Sequence, residues 1–480
     1  MKKNLVCLAL ASALVVPALH AQMTEPWTKI PTPPLHDFKP VQPKRIDLKN
    51  GVVIFLQEDH ELPFIDGTIN IRGGSREEPA NKAGMLDMYG DVWRTSGTAA
   101  MDGDAMDDAL EAKAAKIETS ADIDSTALTW NSLKTDFDTV FTQAVDLLLH
   151  PSFKPEKLEL AQQQMATGIA RRNDDAGGIL AREVGKVVYG AASPYARQPE
   201  FSTVLGVTVD DIKQWHDKTV VGSNLLVSVV GDFDSAAMEK KLRDTFEKLP
   251  KGEPFKSLKA DFPGPKPGVY FVNKDDINQS NISIAGLGTT RNNPDLYALS
   301  VMNEIFSGGF GSRLTQSVRT KLGLAYAVGG GYGASYDHPG IFRVQAGTKS
   351  ASTVAATKAM LEEINRLKSV PPTETELRNA KEQLLNSFIF RYDSRAKVLN
   401  EQVMLAFYGY PADFLEKYKA GIEKVTAADV SRVAAKYIDT SKLAIVVVGN
   451  GGDLGASLKD LGPVTDVDIT IPPPPAGMSN

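Results

Sequence analysis

The chain has 480 residues, an apolar fraction of 42% and a net charge of −6. That length allows large cores, and the acidic balance without any basic run excludes nucleic acid as an expected partner. Outside the N-terminus no apolar stretch reaches membrane-spanning length, so no membrane span is expected after leader removal.

Residues 1–21 read as a secretory signal peptide. Lys2 and Lys3 form the charged start, Leu5 to Leu19 the apolar middle, and Ala21 the small residue before a cleavage point at Gln22. A short membrane anchor is the alternative, but the apolar run is too short to span comfortably. Cleavage would remove two lysines and shift the net charge to −8. It would also remove Cys7, the only cysteine. The mature chain then has no disulfide, thiolate nucleophile or thiolate metal site. A thiol-free chain suits an oxidising compartment, here a bacterial periplasm.

Residues 22–44 carry Pro26, Pro31, Pro33, Pro34, Pro40 and Pro43 and read as an extended arm. Arg45 to Gln57 reads as a hairpin turning at Asn50-Gly51. Phe64 to Ile71 alternates as a strand. Helices fit Met85 to Arg94 and Ala105 to Lys116, and strands fit Glu118 to Asp122 and Ser125 to Asn131. Asp136 to Leu149 is amphipathic at helical spacing, and Pro155 to Arg172 is a further helix with a break expected at Gly177-Gly178. Ser193 to Arg197 reads as structural. Val209 to Lys218 is helical and Leu225 to Val230 is a buried-type strand.

Residues 251–267 combine four prolines with two glycines and form the best linker candidate. Beyond it, Gly268 to Val272 and Gln279 to Ala285 read as strands, and the latter is a candidate exposed edge for a peptide backbone, an interior strand being the alternative. Helices fit Pro294 to Phe306, Thr375 to Phe390 and Ala427 to Tyr437, and a strand fits Leu443 to Val448. Pro472 to Pro475 suggests an extended end lying on a partner.

The second half repeats the first. Val207-Thr208-x-x-Asp211-Ile212 recurs as Val425-Thr426-x-x-Asp429-Val430, and Gly231 recurs as Gly449, 218 positions on without a gap. Leu158, Ala161 and Gln164 recur as Leu377, Ala380 and Gln383. Thr-x-x-Asp is a capping signature, so each copy starts the same helix. The expectation is two similar α+β domains, residues 45–250 and 268–465, with a Pro-rich tail over 466–480.

The stretch 307–333 is the richest in chemistry. Gly308, Gly309 and Gly311 form a loop where backbone or ligand can approach closely, and they are candidate substrate-binding positions. A helix is expected from Arg313 to Thr320, a turn at Lys321–Gly323, and a strand near Leu324 that carries Tyr326. Arg319 and Tyr326 could converge on a carbonyl or carboxylate. Both also have ordinary roles, at a helix end and a strand start.

The run Val318-Arg-Thr-Lys-Leu-Gly-Leu-Ala-Tyr326 resembles the second-domain signature of the M16 metallopeptidases, the pitrilysin, insulinase and mitochondrial-processing-peptidase group. The resemblance covers roughly residues 45–460. It implies the LuxS/MPP-like metallohydrolase fold, two domains each with an antiparallel sheet and helices on one face. It implies that Arg319 and Tyr326 orient substrate and stabilise the transition state, as catalytic residues.

Catalytic members of that family also carry H-x-x-E-H on a first-domain helix, with a further Glu downstream, to hold zinc and activate water. Here the two His positions fall on Asp87 and Asp91 and the Glu position on Gly90, while the downstream region offers Thr167 and Gly168. His20, His36, His60, His150, His216 and His338 contain no pair at HxxxH spacing. No metal ligand set is expected in this chain. Asp87 and Asp91 share a helix face, as a solvated acidic face or as a weak hard-cation site.

By the resemblance, the chain is the zinc-less partner subunit of a periplasmic heterodimeric zinc endopeptidase. Zinc is then expected in an HxxEH-bearing subunit, and the substrate is a peptide or unfolded protein. The alternative is a non-enzymatic peptide-binding or scaffold protein of the same fold.

Overall fold

The computed structural model describes residues 39–476. The expected signal peptide, most of the arm and the last four residues of the tail lie outside the described residues. Among the described residues no helix is long and apolar enough to cross a membrane.

Two six-stranded sheets organise the chain. The first comprises β1 (Lys44–Asp47), β2 (Val53–Glu58), β3 (Phe64–Arg72), β4 (Lys116–Ala121), β5 (Ser125–Leu133) and β6 (Leu225–Gly231), in the order β1-β2-β6-β3-β5-β4. The second comprises β7 (Gly268–Asn273), β8 (Gln279–Leu287), β10 (Ala327–Tyr332), β12 (Ile341–Lys349), β13 (Ala444–Gly449) and β14 (Val464–Asp466), in the order β10-β12-β8-β13-β7-β14. Two short strands, β9 (Thr289–Thr290) and β11 (Ala334–Ser335), pair separately. Both large sheets are mainly antiparallel, and each has a parallel pair at the equivalent point, β2 with β6 and β7 with β13; the second sheet adds another, β14 with β7.

The repeat is visible atom by atom at the helix starts. Thr208 accepts from the Asp211 amide while the Asp211 carboxylate accepts from the Thr208 amide, opening the helix Val209–Thr219. Thr426 and Asp429 do the same for Ala427–Tyr437. Each box satisfies amides that a bare helix start leaves unbonded.

Alternation along the strands makes both faces of each sheet apolar. In the first sheet Ile54, Leu56, Val227 and Val229 face one core, and Phe55, Leu226 and Val230 face another. The second group is covered by Leu399, Val403 and Phe407 of the helix Arg395–Tyr408, which belongs to the second half. Reciprocally, the helix Ala176–Tyr189 of the first half lays Ile179, Leu180, Val184 and Val188 on Val272, Ala285, Val446 and Val448 of the second sheet. The halves therefore exchange equivalent helices. Such burial removes apolar surface from water at about 25 cal/mol per Å².

A buried ionic cluster fastens the junction. Arg76, 2% exposed, pairs with Glu77 at 2.7 Å, Asp124 at 2.9 Å and Asp337 at 2.6 Å, and donates to the Tyr195 hydroxyl at 2.7 Å. Arg197 donates to the carbonyls of Ser75, Arg76 and Glu78. The Ser193 to Arg197 stretch is thus structural.

Some boundaries differ from expectation. The second helix is Gly103–Glu111, and Lys116 already belongs to β4. Gly177 and Gly178 do not break a helix. They sit in the first turn of Ala176–Tyr189, where the Asp175 carboxylate accepts from the Gly178 amide. The C-terminal segment packs on its own chain: Val467 and Ile469 join the apolar cluster between the halves, Ile471 packs on the first core, and Asn173 donates to the Ile469 carbonyl at 2.7 Å.

Candidate active-site surface

The helix Leu296–Ser307 ends at Gly308, whose amide donates to the Glu304 carbonyl at 2.8 Å. The chain then turns through Gly309, at φ 138°, a conformation side-chain-bearing residues rarely adopt. Two side chains hold the loop. Ser312 donates to the Gly309 carbonyl at 2.7 Å, and Gln316 donates to the Phe310 carbonyl at 2.7 Å. Gly308, Gly309 and Gly311 line a cavity of about 540 Å³ facing the helix Glu374–Phe388. Arg313 anchors the base of the loop. It is buried and forks onto Glu376 at 2.6 and 2.9 Å, which holds the Glu376 carboxyl at about 2.

The segment after the loop is a π-helix, Thr315–Lys321, and not the expected α-helix. The Leu322 amide reaches back five residues to the Ser317 carbonyl at 3.1 Å. Widened turns of this kind recur at functional sites, because they change the direction in which a side chain leaves the helix. Here the residue affected is Arg319. The following strand also starts later than expected, at Ala327, so Tyr326 stands just before it.

Arg319 and Tyr326 meet. The guanidinium carbon lies 5.0 Å from the Tyr326 ring centroid and 5.1 Å from that of Phe310. The cation is thus flanked by two aromatic rings. Among the described residues its side chain has no hydrogen bond or ion pair. Tyr326 is 84% exposed and Phe310 74%. The outward aromatic pair leaves the guanidinium donors of Arg319 open to solvent. Phe310 was not among the residues expected from sequence; a lone Phe between glycines has no periodicity to mark it.

Tyr326 leads into β10, which is an edge of the second sheet. The expected edge, Gln279 to Ala285, is not one. It lies in β8, paired on both sides with β12 and β13. Its nearly continuous burial is that of an interior strand. Beside β10 a groove of about 510 Å³ runs between the helix Ala176–Tyr189 and the sheet, lined by Ala327, Gly329, Arg343 and Gln345 among others.

The helix Met85–Thr95 carries Asp87, Gly90 and Asp91, where the sequence resemblance looks for the zinc motif. Gly84 precedes it at φ 95°, and the buried Glu78 carboxylate accepts from the Gly84 and Leu86 amides, both at 3.0 Å. Burial, with Asp87 nearby, pushes the Glu78 carboxyl up to about 7. Asp87 and Asp91 reach solvent but are surrounded by enough protein that lost hydration raises both, and Asp87 is raised further by Asp91 and Asp122. Gly90 is pressed on β4: a Cβ there would lie 3.0 Å from the Ala121 nitrogen, and Thr119 donates to the Gly90 carbonyl at 2.5 Å. The side chains do not fit zinc. Among the described residues no group of three or more His, Cys, Asp or Glu is placed to hold a metal ion. His60 bonds Asp232, His150 bonds Asp146, His338 bonds Asp337, and His216 is buried between the Tyr89 hydroxyl and the Leu148 carbonyl.

Residues 53–184 match the family model described as Insulinase (Peptidase family M16), and residues 206–384 match Peptidase M16 inactive domain. The chain belongs to peptidase family M16. Relatives of this M16 chain include the "Non-peptidase homolog YmxG" of Helicobacter pylori, 24% identical, with 83% of this chain and 92% of that protein covered. An "Uncharacterized zinc protease" of Rickettsia felis is 26% identical, with 84% and 97% covered. Two solved structures share the fold. A peptidase M16 inactive domain from Pseudomonas fluorescens has a TM-score of 0.78 at 24% identity, covering 85% of this chain and 98% of that one. A protease from Helicobacter pylori has a TM-score of 0.74 at 20% identity, covering 85% and 100%.

Proposed function

We propose that this M16 chain is the zinc-less subunit of a periplasmic heterodimeric endopeptidase. A second subunit bearing HxxEH contributes zinc and the nucleophile. Arg319 and Tyr326 orient the scissile carbonyl and stabilise the charge that develops on its oxygen. The observation that carries this reading is the Arg319–Tyr326 pair, outward-facing and unneutralised, on a chain whose metal-binding positions hold Asp87, Gly90 and Asp91. A guanidinium already held between rings needs little reorganisation as charge develops. The adjoining glycine loop and the β10 edge are suited to an extended peptide, whose backbone would add to the sheet.

A non-enzymatic peptide-binding role is the second reading, and the similarity to the Helicobacter pylori non-peptidase homolog favours it. The two part on one experiment. The chain is assembled with an exported HxxEH-bearing M16 protein from the same organism, and hydrolysis of an unstructured peptide is followed. Arg319→Ala and Tyr326→Phe should each lower kcat by about 10²–10³-fold, with zinc content unchanged. Unaltered turnover in both variants removes the assigned role, and an assembly that binds peptide without cutting it favours the second reading.

A further inference from the structure

The second half holds a cavity of about 250 Å³ that the peptidase reading does not use. It lies among the helices Leu296–Ser307, Arg395–Tyr408 and Phe414–Lys424 and the turn Ile389–Arg391. One side is aromatic. The Phe388 ring sits 4.9 Å from Tyr392 and lies nearly parallel to Tyr418, at 9°.

Ser300 and Asn303 in its lining are hydrogen-bonded, but among the described residues the side chains of Arg391, Tyr392 and Glu401 are not. Arg391, an exposed residue, and Glu401, half-buried, both line the cavity. Opposite charges beside one small space gain by closing into an ion pair. Yet among the described residues neither side chain has a hydrogen bond or ion pair, with each other or with any neighbour. Tyr392 also lines the cavity and is 5% exposed, and its hydroxyl is likewise without a partner. The ring is buried but the hydroxyl is not, so its donor opens onto accessible space. Burial raises this phenol, so it remains a donor at neutral pH, and both Glu401 and Arg391 act on it. The nearby Arg291 is already engaged, stacked 4.0 Å over Tyr336 and donating to its hydroxyl at 2.8 Å.

The cavity thus presents a cation, a neutral donor and an anion, all unpartnered, next to an aromatic wall. Its volume falls below the roughly 300–1,000 Å³ typical of pockets for drug-sized ligands, which favours a single small molecule over a length of peptide. We propose that it binds a free zwitterionic α-amino acid with an aromatic or large aliphatic side chain. Arg391 and the Tyr392 hydroxyl take the carboxylate, Glu401 takes the ammonium, and the side chain lies against Phe388 and Tyr418. The site is independent of Arg319 and Tyr326, neither of which lines it.

The test is calorimetric titration of the intact mature chain with L-phenylalanine, L-leucine, L-phenylalaninamide and N-acetyl-L-phenylalanine. The free amino acids should bind saturably, and masking either charged end should weaken binding at least tenfold. Glu401→Gln should abolish the preference for phenylalanine over its N-acetyl form, and Arg391→Ala the preference over the amide. The masked ligands probe the same contacts on the unaltered chain, so a poorly folded variant does not spoil the test. No saturable binding of either amino acid, or equal binding of free and masked forms, overturns the proposal.

Discussion

The guanidinium carbon of Arg319 stands 5.0 Å from the Tyr326 ring centroid, with no hydrogen bond between the two side chains. They stack rather than bond, which leaves the donors of the guanidinium and the phenol hydroxyl free for a third group. The π-turn that carries Arg319 and the late start of β10 together produce this arrangement.

Phe310 covers Arg319 from a second direction, at 5.1 Å. Replacing it with Leu keeps apolar bulk but removes the ring face. An exposed cation–π contact contributes about 0.5–1 kcal/mol, so under the proposed function kcat of the two-subunit assembly should fall about two- to fivefold. Phe310→Tyr should retain activity. Equal rates for the Leu variant and the parent chain would show that Phe310 does not hold Arg319.

Reinstating the lost motif should fail. In Asp87→His/Gly90→Glu/Asp91→His, the new side chain at 90 meets the β4 backbone, where its Cβ would lie 3.0 Å from the Ala121 nitrogen and 3.2 Å from Ser120. Overpacking of this kind costs about 1–3 kcal/mol. The downstream helix still has Thr167 and Gly168 where the further carboxylate is expected. Thermal melts should show the triple variant destabilised relative to Asp87→His/Asp91→His, and metal analysis should find no stoichiometric zinc. A stable, zinc-loaded triple variant would contradict this.

Stability should fall in acid through His216. Burial depresses its imidazole to about 4, against an ordinary 6.5. The neutral ring accepts from the Tyr89 hydroxyl and donates to the Leu148 carbonyl, both at 2.9 Å. Because the unfolded chain takes up the proton first, this contribution is complete above about pH 6.5 and is lost as pH falls through about 4. It amounts to about 3 kcal/mol. Denaturant titrations of the parent chain and His216→Gln should therefore differ by a margin that shrinks by about that amount between pH 7 and pH 4. A pH-independent margin would refute it.

The duplicated architecture was readable because it is written in local chemistry: the Thr208/Asp211 and Thr426/Asp429 boxes recur at one spacing, and each precedes an apolar strand ending in glycine. The exchange of Ala176–Tyr189 and Arg395–Tyr408 was not readable. Helical spacing of Ile179, Leu180, Val184 and Val188 announces an apolar face but not the sheet it covers. For Gln279–Leu287 the polar residues Gln279, Asn281 and Ser283 read as one exposed face, and only the structure shows that strand covered by neighbouring elements. At the candidate site, Arg319 and Tyr326 were legible as a motif. The π-turn and Phe310 depend on how the loop is tied by Ser312 and Gln316, and single-sequence patterns do not encode that.

The most direct test is metal content and peptide hydrolysis of the purified chain, measured alone and again after assembly with an HxxEH-bearing M16 protein of the same organism. Alone, the chain should carry no stoichiometric zinc and leave an unstructured peptide intact; together, the two should cleave it. Zinc retained at one ion per chain, with cleavage by the isolated protein, would contradict the account.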